Sequence, residues 1–124
     1  MLQRRVLVID DEEEVRNVTS RVLTHLGYDV TLAAGGSKGI EAYEESDEPF
    51  DVVMLDLTMP HPNGSETLRV LREIDPSARV ILMSGYTEEA TRTALGDSTP
   101  TAFLQKPYNL SALKQMLTDI IAAS

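Results

Sequence analysis

Five short apolar runs, each followed by a stretch with helical spacing, alternate along the chain. That order is the pattern of a parallel sheet joined by crossover helices. The predicted strands are Arg5 to Ile9, Asp29 to Ala33, Asp51 to Leu55, Arg79 to Met83 and Ala102 to Gln105. Four of them are nearly continuous in apolar, β-branched residues, which suits a buried sheet covered by helices on both faces. The first helix is the clearest: Val15, Val18, Val22, Leu23 and Leu26 fall on one face, and Gly27 stands where a C-terminal cap belongs. In the last, Asn109 is placed to cap a helix whose Leu110, Leu113, Met116, Leu117, Ile120 and Ile121 repeat at helical spacing. Weaker helices are predicted from Ser37 to Glu45, Ser65 to Ile74 and Thr87 to Leu95, with Asp75-Pro76 closing the third.

At 124 residues, 42% hydrophobic and 25% charged, the chain has the size and apolar fraction of one domain, taken as residues 1–124. Its apolar runs, such as Val6 to Ile9, stop at four residues, against about 20 for a membrane helix, so no membrane insertion is expected. Strand-like residues begin almost directly after Met1-Leu2-Gln3-Arg4-Arg5, leaving no room for a secretion signal, and a cytoplasmic location is expected. With no cysteine, any chemistry must use oxygen and nitrogen. A net charge of −9 repels phosphate backbones and argues against direct nucleic-acid binding. The same charge suits a cation or a basic partner surface, and it also serves simple solubility.

In parallel α/β sheets, ligands bind outside the carboxyl ends of the strands. The residues there are Asp10 and Asp11 after strand one, Asp56 after strand three, Ser84 after strand four and Lys106 after strand five. Singly, each has an ordinary use as a cap, a turn former or a solvated charge. Together they should converge on one edge. Three ionised carboxylates in one pocket repel unless they share protons or hold a divalent cation. Oxygen-only ligands with partial exposure suit Mg²⁺.

The segments Val6-Leu7-Val8-Ile9-Asp10-Asp11-Glu12, Leu55-Asp56-Leu57-Thr58-Met59-Pro60 with Asn63-Gly64 and Glu66, Met83-Ser84-Gly85-Tyr86 and Phe103-Leu104-Gln105-Lys106-Pro107 carry a resemblance that covers essentially the whole chain. They resemble the receiver domains of two-component response regulators and hybrid histidine kinases. The resemblance implies a doubly wound, flavodoxin-like α/β fold, with strand order 2-1-3-4-5 and five helices. It implies a switch that takes a phosphoryl group from a histidine kinase or phosphotransfer domain and changes its affinity for a downstream protein. Such a domain promotes its own phosphorylation and dephosphorylation and has no separate substrate. Asp56 matches the phospho-acceptor. Asp11, Asp56 and the backbone carbonyl of Thr58 match the Mg²⁺ ligands, with Asp10 acting through water. Ser84 and Lys106 match the groups that meet the phosphoryl oxygens, and Lys106-Pro107 the cis peptide that holds the lysine inward. Ser84 and Phe103 match the switch pair, while Thr58 and Tyr86 occupy the places that tune phosphoryl lifetime.

Pro62 and Asn63 depart from the usual methionine and aspartate, which predicts a stiff Pro60-His61-Pro62 loop before an Asn-Gly turn. The stretch Gly96-Asp97-Ser98-Thr99-Pro100-Thr101 lacks the usual small, apolar connection, which predicts a short or mobile fourth helix. His61, between two prolines, reads as a solvated loop residue, and His25 as a cation near a helix C-terminus. Two rivals come from other classes. An aspartate-nucleophile phosphatase would carry a second aspartate two residues after the nucleophile, where this chain has Thr58. A receiver kept only as a scaffold is expected to lose Asp11, Asp56 or Lys106, and all are present.

Overall fold

The computed structural model describes residues 4–96 and 98–122; Met1 to Gln3, Asp97, Ala123 and Ser124 lie outside the described residues. Along the chain run β1 (Arg5–Ile9), α1 (Glu13–His25), β2 (Asp29–Ala33), α2 (Gly36–Glu45), β3 (Val52–Asp56), α3 (Gly64–Ile74), β4 (Val80–Ser84), α4 (Glu88–Leu95), β5 (Ala102–Gln105) and α5 (Leu110–Ala122). All four strand pairings are parallel, in the order β2-β1-β3-β4-β5. The parallel sheet with crossover helices is the one expected from the apolar runs, and its order is the flavodoxin-like one that the resemblance implied.

Side chains alternate across the pleat, so each apolar run feeds two cores. Leu7, Ile9, Val53, Leu55, Val80 and Leu82 face Leu68, Leu71 and Leu95 of α3 and α4. Val6, Val8, Val52, Met54, Ile81 and Met83 face Leu23 of α1 and Leu113 and Leu117 of α5. The three central strands are buried, whereas edge strand β2 leaves Asp29 and Leu32 exposed. The expected burial of the whole sheet therefore stops at its rim.

The structure corrects several boundaries. β3 and β4 each begin and end one residue later than the apolar runs suggested, because the ladder pairs Asp56 with Met83 and Ser84 with Gln105. Val18 was expected on the packed face of α1 but is 58% exposed, and Thr19 is buried in its place. One helical step is about 100°, so the inward direction set by Leu23 is met by its i−4 neighbour rather than by Val18. The expected Asn63-Gly64 turn is instead the start of α3. Asn63 caps α3, accepting from Glu66 N–H at 2.9 Å while the Glu66 carboxylate accepts from Asn63 N–H at 2.9 Å. Gly27 and Asn109 serve as caps as expected: Gly27 has φ 97°, and Asn109 Oδ1 accepts from Ala112 N–H at 2.7 Å. α4, with eight residues, is the shortest of the five helices.

Candidate functional site

The carboxyl ends of β1, β3, β4 and β5 meet at one edge because a parallel sheet points every strand the same way. Asp10 leaves β1 with its side chain fully buried, and its N–H donates to the Ala33 carbonyl at 3.2 Å. Its Oδ1 accepts from Glu12 N–H at 3.0 Å, while its backbone carbonyl accepts from the Arg16 guanidinium at 2.8 Å. Asp11, next in the chain, is exposed. Asp56 closes β3 at 3% exposure. Carboxylate oxygens of Asp10, Asp11 and Asp56 all lie within 4.8 Å of one another.

Lys106, delivered by β5, is the cation facing this cluster. Its Nζ lies 3.3 Å from Asp56 Oδ1 and 3.8 Å from Asp10 Oδ2. Its backbone N–H donates to the Ser84 carbonyl at 2.7 Å, which ties the lysine to the end of β4. The Lys106-Pro107 peptide is cis, as the resemblance implied, and so is His61-Pro62. Burial pushes the Asp56 carboxyl above its ordinary range, and the negative Asp10 adds to that rise. Lys106 and the Thr58 backbone N–H act in the opposite direction.

Among the described residues, Lys106 is the cation paired with these carboxylates, and three carboxylates against it leave the cluster short of positive charge. Asp10 Oδ2 is buried and accepts no hydrogen bond, a costly state for a carboxylate oxygen. A small, hard divalent cation with oxygen ligands fits that deficit. Asp10, Asp11 and Asp56 are the residues able to hold it.

Of the remaining predicted positions, Ser84 ends β4, Tyr86 follows it and Thr58 follows β3, whereas Phe103 lies within β5. Ser84 is fully buried at the end of β4, and its Oγ accepts from Tyr86 N–H at 3.0 Å. Tyr86 itself is 61% exposed, and Thr58 is exposed on the loop after β3. Phe103 is half-buried and pairs in register with Leu82. His61 is 84% exposed with Nδ1 3.0 Å from the Glu66 carboxylate, in keeping with a solvated loop residue.

Sequence reasoning missed Arg16 and Thr91, and the packing role of Gly64. Arg16 holds the Asp10 carbonyl as the fourth residue of α1, about one turn in, a placement visible only once the helix is accepted. Gly64 packs under Asp56: a Cβ there would lie 2.6 Å from the Asp56 carbonyl oxygen and 2.5 Å from Leu57 Cα. Thr91 of α4 is buried, and its hydroxyl reaches Ser84 Oγ.

The response regulator receiver domain family matches residues 6–118. Sensor kinase CckA of Brucella abortus is 35% identical over 116 residues, covering 94% of this chain but 12% of the kinase. Chemotaxis protein CheY of Thermotoga maritima is 30% identical over 118 residues, covering 94% of this chain and 97% of that protein. Among solved structures, response regulator TrrA of Thermotoga maritima, in complex with Mg²⁺ and beryllofluoride, superposes with a TM-score of 0.85 at 26% identity. That match covers 95% of this chain and 99% of TrrA.

Proposed function

The chain belongs to the response regulator receiver family, and from that premise we propose that residues 1–124 form a single receiver domain acting as a phospho-accepting switch on Asp56. The observation that carries this reading is the placement of Lys106 Nζ 3.3 Å from Asp56 Oδ1, beside carboxylate oxygens of Asp10 and Asp11. The donor is a phosphohistidine of a histidine kinase or phosphotransfer domain. An Asp56 oxygen attacks the phosphorus, the P–N bond breaks as the P–O bond forms, and the donor imidazole leaves with the electron pair. Such a transfer needs positioning and charge neutralisation more than covalent assistance.

Asp11, Asp56 and the Thr58 carbonyl would hold Mg²⁺, with Asp10 orienting its neighbours, and the ion would supply positive charge to offset that of the phosphoryl oxygens. Lys106 exchanges its contact with Asp56 Oδ1 for one with a phosphoryl oxygen. Ser84 donates its hydroxyl proton to another. Exposed Tyr86 and Thr58 flank the approach of hydrolytic water and set how long the acyl phosphate lasts. Phe103 turns into the room that Ser84 vacates, changing the surface of α4, β5 and α5 that a downstream protein reads. The same domain promotes both phosphorylation and hydrolysis, with no separate substrate.

Adding a small phosphodonor with Mg²⁺ while following backbone amide resonances tests this reading. Resonances at the ends of β1, β3, β4 and β5 and along α4, β5 and α5 are expected to move, and chelating the metal should prevent it. A spectrum indifferent to the donor would overturn the reading.

A further inference from the structure

Ser84 Oγ has two lone pairs and one proton to place. Here it accepts from Tyr86 N–H at 3.0 Å and from the Thr91 hydroxyl at 3.4 Å. The first bond is local to the chain after β4. The second crosses to the second turn of α4 and is the link between that helix and the phosphoryl-facing serine. Thr91 is 1% exposed, so its hydroxyl gains nothing from bulk water.

The helix that carries Thr91 is lightly held. Only Thr91 and Leu95 are buried among the residues of α4, and elements with few buried anchors shift most readily. On one side of Thr91 lies a cavity of about 430 Å³, lined also by Leu95, Thr101 and Phe103. There is room for the helix and the ring to rearrange.

We propose that Thr91 is a positioning residue that tethers Ser84 to α4 in the unphosphorylated state, and that this tether breaks when Ser84 turns to a phosphoryl group. The inference rests on the reading of Asp56 as phospho-acceptor. At 3.4 Å the bond is near the outer limit of hydrogen-bond geometry, so movement of Ser84 away from α4 ends it. The freed Thr91 hydroxyl has an alternative close by: a helical threonine can turn about χ1 to its i−4 carbonyl, here that of Thr87, which already accepts Thr91 N–H at 3.0 Å. The tether therefore opposes the switched state without locking it out, and it makes the position of α4 depend on where Ser84 points.

The test is a titration of wild type, Thr91→Val and Thr91→Ser with beryllofluoride at saturating Mg²⁺, following amide resonances of Ser84 and residues 88–95. Valine keeps the volume and removes the hydroxyl; serine keeps the hydroxyl. Thr91→Val should bind the analogue roughly two- to fivefold more tightly, the effect of deleting one weak opposing hydrogen bond. Its α4 resonances should lie part of the way toward the wild-type bound positions before any analogue is added. Thr91→Ser should behave as wild type. Unchanged or weaker affinity in Thr91→Val, or the same shift in both variants, overturns the tether. A wild type that shows no response to the analogue overturns the reading of Asp56 instead, and the tether with it.

Discussion

Lys106 reaches from the end of β5 to set its Nζ 3.3 Å from Oδ1 of Asp56 at the end of β3, two strands away in the sheet. The pair is largely buried on the aspartate side, so the interaction is only partly screened. It makes Lys106 a resident cation at the position where negative charge gathers during transfer. Replacing Lys106 with Met should lower the rate of phosphorylation by about 10²-fold, the scale for removing one preorganised charge from a transferring group. The same change should tighten Mg²⁺ binding, because a competing cation leaves the cluster. Stopped-flow phosphorylation and a Mg²⁺ titration measure the two effects, and a parallel loss of both would contradict this role.

Much of this edge was legible beforehand. Asp10, Asp11, Asp56, Ser84 and Lys106 follow apolar runs, and the parallel sheet delivers whatever follows its strands to one side. The runs misjudged the ends of β3 and β4, because polar Asp56 and Ser84 break an apolar pattern while the backbone ladder continues through them. The inward face of α1 was misassigned at Val18, since valine marks hydrophobicity and not direction. Thr91 left no composition signal at all. Its burial follows from lying one helical turn before Leu95, which only the packed helix makes visible.

Burial raises the Asp56 carboxyl above its ordinary range, so its ionisation works against the fold. Stability on this account is full below the ordinary carboxylate pKa and falls as pH rises from there through the raised value. Asp56→Asn removes that fall and should raise Tm at neutral pH. Added Mg²⁺ should stabilise wild type and narrow the gap, while leaving Asp56→Asn nearly unchanged. Thermal melts at several pH values check the sign.

Asp11 and Asp56 are proposed to share the metal, and Asp11 is the exposed member of the cluster. Titrating Mg²⁺ should move amide resonances at the ends of β1 and β3. In Asp11→Ala the same shifts should need about tenfold or more Mg²⁺, within the range for loss of a group that holds or orients a metal. Equal titration curves would remove Asp11 from the site.

Gly64 touches the backbone of Asp56 and Leu57 where no side chain can move aside. Gly64→Ala should destabilise the domain by about 1–3 kcal/mol, as overpacking against fixed atoms does. Because the clash lies on the Asp56 carbonyl, phosphorylation should also slow at temperatures where the variant is fully folded. Denaturant unfolding beside phosphorylation kinetics separates the two losses.

Asp56 is the proposed acceptor of the phosphoryl group. The most direct measurement is intact mass after incubation with a small phosphodonor and Mg²⁺, run in parallel on wild type and Asp56→Asn. Wild type should gain the mass of one phosphoryl group, about 80 Da, in a form that hydroxylamine removes, since the transferred group sits on a carboxylate as an acyl phosphate. Asp56→Asn should gain none. Equal gain in the two proteins would contradict the account.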